Sequence, residues 1–192
     1  MFHEAKGDLE KAKNLYREII KANPEDISAY RRLAAYLRDS DLLDESIQTL
    51  NKALEMDMSD TKIWFDLCQI YTSHMNYKKA IYCFEEILVQ KPSNYLYNLR
   101  YGELLYSIGG GDNFVLARKY FSKAVSLNDK STGSLNNNVR AIWALLETCT
   151  KLETMGRKFK DEMNEELIEM CKEKLDKIYR KESKFDIEDL KI

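Results

Sequence analysis

Pro24 and Pro92 stand two periods of about 34 residues apart, and the residues that lead up to each agree in kind and spacing. Ala12, Tyr16 and Ile19 precede the first; Ala80, Phe84 and Ile87 precede the second. A repeat of that length is a pair of antiparallel helices, too small to bury its own apolar face. It is stable only when the next copy covers it, so the period dictates a stack of similar helical hairpins. Composition agrees at the one point where it bears on the choice. The chain has only 7 Gly and 2 Pro, the two residues that helix interiors reject.

The clearest copy runs from Thr61 to Asn94. Trp64, Leu67, Cys68 and Tyr71 occupy its first helix, and Ala80, Phe84, Ile87 and Pro92 its second. The preceding copy is weaker, with Tyr30, Leu33, Ala34 and Leu37, then Ser46, Leu50, Ala53 and Met58. The following one reads Tyr101, Gly102 and Leu105, then Ala117, Phe121 and Ala124, with extra residues in the turn at Gly109–Asn113. A large residue, a Leu and a small residue facing a second helix with its own small residue and aromatic is the tetratricopeptide pattern. Its physics is close approach of two backbones where side chains are small, with large side chains filling the space alongside.

The expected fold is therefore all-α: a tetratricopeptide-repeat superhelix of antiparallel hairpins closed by a C-terminal capping helix. The chain reads as one helical-repeat domain, with a partial repeat at 1–26, repeats at 27–60, 61–94 and 95–131, and a degenerate hairpin and cap at 138–184. Asp129–Asn138 is polar and turn-rich and reads as a loop. Beyond it, Ile142, Trp143, Leu146 and Cys149 share a helix face, and Leu167, Cys171, Leu175 and Ile178 mark the capping helix. Interleaved Glu and Lys on its remaining faces suit an exposed surface. Residues 185–192 read as a tail or docking peptide. In register, Met1 falls inside a first helix whose earlier positions are missing, with His3 at its aromatic site, so an N-terminal part is expected upstream or the first repeat is broken.

Chemistry is hard to find. The 30 basic and 32 acidic side chains are mixed along the chain, with no one-sided basic stripe for nucleic acid. Cys68, Cys83, Cys149 and Cys171 form no Cys-x-x-Cys pair, and His3 and His74 fit no zinc spacing. The thiols read as reduced core residues. Gly109-Gly110-Gly111 lacks the Lys-Ser/Thr and preceding strand of a phosphate loop. Glu85-Glu86 and Glu165-Glu166 lie on charged faces. The longest apolar run, Ala141–Leu146, is far short of the roughly 20 residues that cross a membrane. No catalytic residue, metal or cofactor is expected, and the chain reads as a non-enzyme.

Surface for binding remains. In this fold the first helices of successive repeats line a groove. The register places Arg31, Arg32, Arg38, Lys62, Phe65, Gln69, Leu99, Arg100, Glu103 and Tyr106 there. Arg, aromatic and Leu side chains suit protein contact. A chaperone-type clamp on a partner's C-terminal carboxylate is the rival. It is weakened by Asp66 at the position where such clamps carry Asn, and by Leu96 at a position where they carry Lys.

One continuous stretch is more specific: the segments Trp64–Tyr71, Asn76–Leu88, Tyr101–Gly110 and Leu116–Asn128, with their double Gly and Ala-Arg-Lys-Tyr-Phe run. It resembles the family of second subunits of the endoplasmic reticulum membrane protein complex, over about Lys6 to Leu152. The resemblance implies a cytosolic, non-catalytic scaffold, peripheral at the endoplasmic reticulum membrane. Its partners would be another soluble subunit and cytosolic segments of membrane-embedded subunits, in a complex that inserts hydrophobic helices. It implies no cofactor and no nucleic acid. The Asp129–Asn138 loop and the charged final helix depart from the family pattern.

The register makes two stability changes testable by thermal or chemical denaturation. Trp64→Ala should cost about 3–5 kcal/mol, and Ala80→Leu about 1–3 kcal/mol through overpacking. Near-unchanged unfolding of both would reject the register.

Overall fold

Asp26, Asp60 and Asn94 lie one repeat period apart, and in the computed structural model, which describes residues 9–132 and 139–182, each caps the start of a helix. The Asp26 carboxylate accepts the Ala29 amide at 3.2 Å, Asp60 accepts that of Lys62 at 2.8 Å, and the Asn94 Oδ1 accepts those of Leu96 and Tyr97 at 3.0 and 3.2 Å. These amides have no partner inside their helices, so each cap contributes about 1 kcal/mol. The capped helices are α2 (Ile27–Asp39), α4 (Thr61–Ser73) and α6 (Tyr95–Ile108).

Helices α2 and α4 also end alike. The Leu42 and Asp41 amides turn back to the Leu37 and Arg38 carbonyls at 2.8 and 3.0 Å; Asn76 and Met75 do the same to Tyr71 and Thr72. This closure needs one left-handed residue. Asp41 (φ 63°) and Met75 (φ 56°) supply it one period apart, and Gly109 (φ 76°) stands one period further on. With ψ −177°, Gly109 ends α6 in a different, extended positive-φ state that glycine alone adopts without steric cost, whereas Asp41 and Met75 bear the cost of the left-handed region.

The remaining described helices are α1 (Leu9–Ala22), α3 (Leu43–Met56), α5 (Tyr77–Gln90), α7 (Gly111–Thr132), α8 (Val139–Thr154) and α9 (Glu162–Glu182). The chain forms two compact units, residues 1–90 and 91–192.

In the first unit, α1 lies on α2, and α2 with α3 and α4 with α5 form hairpins; α4 also touches α2 and α3. Ala12, Tyr16, Leu33 and Leu37 form one buried cluster. Ser46, at the small-residue site of the weaker repeat, is fully buried and donates to the Ala34 carbonyl at 2.7 Å. That bond satisfies the hydroxyl where other copies carry Ala. Trp64 is buried, donates its indole N–H to the Met58 carbonyl at 2.8 Å and meets Tyr82 edge-on at 5.9 Å. Ala80, with no exposed surface, sits where its methyl group leaves room for the opposing helix.

In the second unit, α6 packs on α7, α7 on α8 and α8 on α9. A Cβ on Gly102 would stand 2.6 Å from the Phe121 ring, itself buried, so this site admits no side chain. A Cβ on Gly111 would run into Phe159, which lies in the α8–α9 connection. The same connection is fastened by Arg118, which pairs with Asp161 at 3.4 Å and donates to the buried Asn164 side chain. Asn164 in turn donates to Glu153 at 2.8 Å and to the Phe159 carbonyl at 3.0 Å. Cys171, Leu175 and Ile178 of α9 are buried, as the capping stripe requires, while Leu167 is half-buried.

One expectation is corrected. Helix α7 runs on through Thr132, so Asp129–Thr132 is helical and not loop. Ala124, Val125 and Asn128 keep a buried face up to this segment, and the helix they belong to continues through it with its backbone hydrogen bonds unbroken, against the turn-forming composition. Residues 133–138, the 185–192 tail and the His3 reading lie outside the described residues.

Gly102→Ala should lower stability by about 1–3 kcal/mol in equilibrium denaturation, because the buried Phe121 has nowhere to move. An unchanged midpoint would show that α6 and α7 do not meet as closely as described.

Candidate functional site

The first helix of each hairpin buries one face and leaves the other to solvent, and the charged side chains of that helix stand on or beside the open face. In the first unit it is formed by α2 and α4. Arg32, Lys62 and Gln69 are exposed, and Arg31, Arg38 and Phe65 are half-buried. Arg31 Nε donates to Asp66 Oδ2 at 2.7 Å, which ties the two helices together. Arg38 pairs with Asp39 at 2.9 Å, and Phe65 turns its edge to Phe84 at 6.1 Å. Between α2 and α4 is a concavity of about 410 Å³, walled by Arg31, Arg32, Arg38 and Asp66 and floored by Ala34, Leu50 and Ile70.

In the second unit the corresponding face lies on α6 and α8. Arg100 and Glu103 form an i,i+3 pair at 3.4 Å, and Arg140 of α8 reaches Glu103 at 2.6 Å. Tyr106 donates its hydroxyl to Glu147 at 2.6 Å, while Lys151 sits 5.0 Å above its ring. Burial, reinforced by the Glu147 carboxylate, pushes the Tyr106 phenol up to about 12. It therefore stays a hydrogen-bond donor throughout the neutral range. A concavity of about 680 Å³ opens beside it, lined by Trp143, Ala144, Leu146, Glu147, Thr150 and Lys151 among others.

Nine of the ten residues expected at the groove keep some solvent contact; Leu99 does not. It is 3% exposed and belongs to the core: on α6 it lies beside the buried Gly102, three residues on, along the covered edge of the face that Glu103 and Tyr106 also occupy. The helix α8 is expected from the sequence as part of the degenerate hairpin, but its outward face is not among the residues expected at the groove. Arg140, Trp143, Glu147 and Lys151 recur every three or four residues along one helical face, a signal that was available. The register had been lost at the polar stretch before it.

The four thiols are buried. Burial pushes Cys68 and Cys171 up to about 11 and Cys83 and Cys149 up to about 12; Cys68 also acts on Cys83, and Cys171 on Cys149. Such thiols are poor nucleophiles at neutral pH. Among the described residues, no group of three or more His, Cys, Asp or Glu is placed to hold a metal ion, and no helix is long and apolar enough to cross a membrane.

Helical hairpins with caps and closures recurring at one period define a tetratricopeptide-repeat protein. A crystal structure of the protein MamA has this fold: it superimposes with a TM-score of 0.65 at 18% identity, over 96% of this chain and 92% of that one. The family profile described as EMC2 TPR-like repeat domain matches residues 1–117, and the chain belongs to the family of endoplasmic reticulum membrane protein complex subunit 2. It is 33% identical over 142 residues to subunit 2-A of that complex from Xenopus laevis, covering 74% of this chain and 46% of the relative. To subunit 2 from Dictyostelium discoideum it is 30% identical over 125 residues, 65% of this chain and 39% of the relative. The chain thus spans less than half the length of these relatives.

The raised thiols carry a sign that can be checked. A thiol held above its ordinary 9.0 in the folded state contributes stability that is complete below pH 9 and lost as pH climbs towards 11–12. The denaturation midpoint should fall between pH 8 and pH 10, and less so in a Cys83→Ala variant. At pH 8 a disulfide reagent should label the folded chain roughly 100-fold more slowly than the unfolded one. Rapid labelling of all four thiols in the folded chain would contradict their placement.

Proposed function

We propose that this chain is a non-catalytic scaffold: a cytosolic subunit of the endoplasmic reticulum membrane protein insertion complex that grips cytosolic segments of membrane-embedded subunits. It reaches the membrane only through those partners. The observation that carries this reading is the family match over residues 1–117. Two features support it. The open faces of α2, α4, α6 and α8 combine Arg, aromatic and small apolar side chains, the mixture that protein interfaces favour. The four buried thiols, held protonated at neutral pH, are not themselves activated nucleophiles. The carboxylate-clamp alternative is weakened further by the Arg31–Asp66 pair, which occupies one of the cations such a clamp would use.

Affinity purification of the protein from its own cells in mild detergent, followed by mass spectrometry, tests this. Multi-pass endoplasmic reticulum proteins in fixed proportion are expected. Heat-shock chaperones alone would contradict the reading. Arg100→Glu, at an exposed position on α6, should weaken that association by about 1 kcal/mol, roughly fivefold, without shifting the melting temperature.

A further inference from the structure

The cleft between α2 and α4 is one-sided in charge. Its walls carry three guanidinium groups, from Arg31, Arg32 and Arg38, against a single carboxylate, Asp66. That carboxylate is already bound by Arg31 at 2.7 Å, and both groups are largely shielded from solvent, with 31% and 25% of their side-chain surface exposed. The pair is therefore a fixed part of the wall. Arg38 lies against Asp39, whose side chain is 68% exposed. A surface pair of that kind contributes little and is readily exchanged for a better-placed carboxylate. Arg32 is exposed at the rim. The floor of Ala34, Leu50 and Ile70 offers no hydrogen-bonding side chain and suits a small apolar one.

We infer that this cleft binds an acidic segment of a partner protein, with side-chain carboxylates on Arg32 and Arg38 and small apolar residues on the floor between α2 and α4. The planar guanidinium fork matches a carboxylate in two-point fashion, which a lysine surface would not. The chain as a whole offers a longer polyanion no general attraction: its 32 acidic and 30 basic side chains nearly cancel, so the phosphates of a nucleic acid beyond the cleft would gain no net excess of positive charge. A short acidic segment feels only the local excess of positive charge. The inference names the partner chemistry of one face in the scaffold reading and rests on that reading.

The probe is a short fluorescein-labelled peptide of alternating Glu and Ala with an amidated C-terminus, so that no terminal carboxylate takes part. Fluorescence anisotropy with the intact chain should show binding that weakens with added salt. It should weaken at least roughly tenfold when Gln replaces Glu in the peptide. Arg32→Ala/Arg38→Ala should cause a similar loss at an unchanged melting temperature, whereas Lys172→Ala, at an exposed position on α9 outside both clefts, should have no effect. Equal binding of the Glu and Gln peptides, no binding of either, or full binding by the double variant would each overturn the inference. If membrane subunits co-purify with the protein while the peptides are not distinguished, the scaffold reading stands and this inference fails. If the acidic peptide binds selectively but no membrane subunit co-purifies, the cleft is established and the scaffold reading fails.

Discussion

Everything in this molecule depends on how closely two helices can come together. The approach is set by small residues facing large ones. Gly102 accommodates the Phe121 ring, Ala80 lies fully buried in the α4–α5 hairpin, and Ser46 joins its hydroxyl to the Ala34 backbone. Where that approach succeeds, Leu67, Ile87, Leu50 and Leu105 lose nearly all their exposed surface. Each such side chain then contributes on the order of 1.5–3 kcal/mol. The helix ends are fixed with equal regularity. Asp26, Asp60 and Asn94 cap the beginnings; left-handed Asp41 and Met75 close two of the ends, and Gly109, one period on, ends the third with a positive φ of its own kind. Asp41 and Met75 accept a strained backbone because the closure satisfies two carbonyls at once.

With one face of each first helix committed to packing, the other is left for solvent and partners, and charge organises it. The Arg31–Asp66 and Arg140–Glu103 pairs do more than decorate the surface. Each joins two first helices within its own unit, α2 to α4 and α6 to α8, and so holds the walls of a cleft at a set distance. A preformed cleft spares a binding partner part of the ordering cost. Arg118 plays a different part, fastening the α8–α9 connection through Asp161 and Asn164.

Much of this was readable in the sequence because the repeat is written in residue size. Trp64, Leu67, Ala80, Phe84 and Ala117 have one physical role each, and a period of about 34 residues aligns them. Direction was harder to read than periodicity. Leu99 is core although Glu103 and Tyr106, four and seven residues on along the same face of α6, keep solvent contact: periodicity places a residue on a face but does not say how far the adjoining helix covers that face. The extension of α7 through Thr132 is not legible in Asp129–Thr132 themselves, because a helix already formed adds each further residue at little cost, whatever turn such residues would favour alone. The α8 face went unread once the aligned period had lapsed, although its Arg140, Trp143, Glu147 and Lys151 spacing is plainly helical.

The central claim is that the first helices of these hairpins, and not the second, hold the partners. Site-specific photo-crosslinking in endoplasmic reticulum membranes tests it most directly, with the crosslinker at Arg32 of α2 or Arg100 of α6 and, for comparison, at Val89 of α5, which is 78% exposed. Adducts with membrane-embedded proteins from Arg32 and Arg100, and none from Val89, are the result this account requires. The same adducts from Val89 alone, or adducts from Arg32 and Arg100 only with soluble proteins, would contradict it.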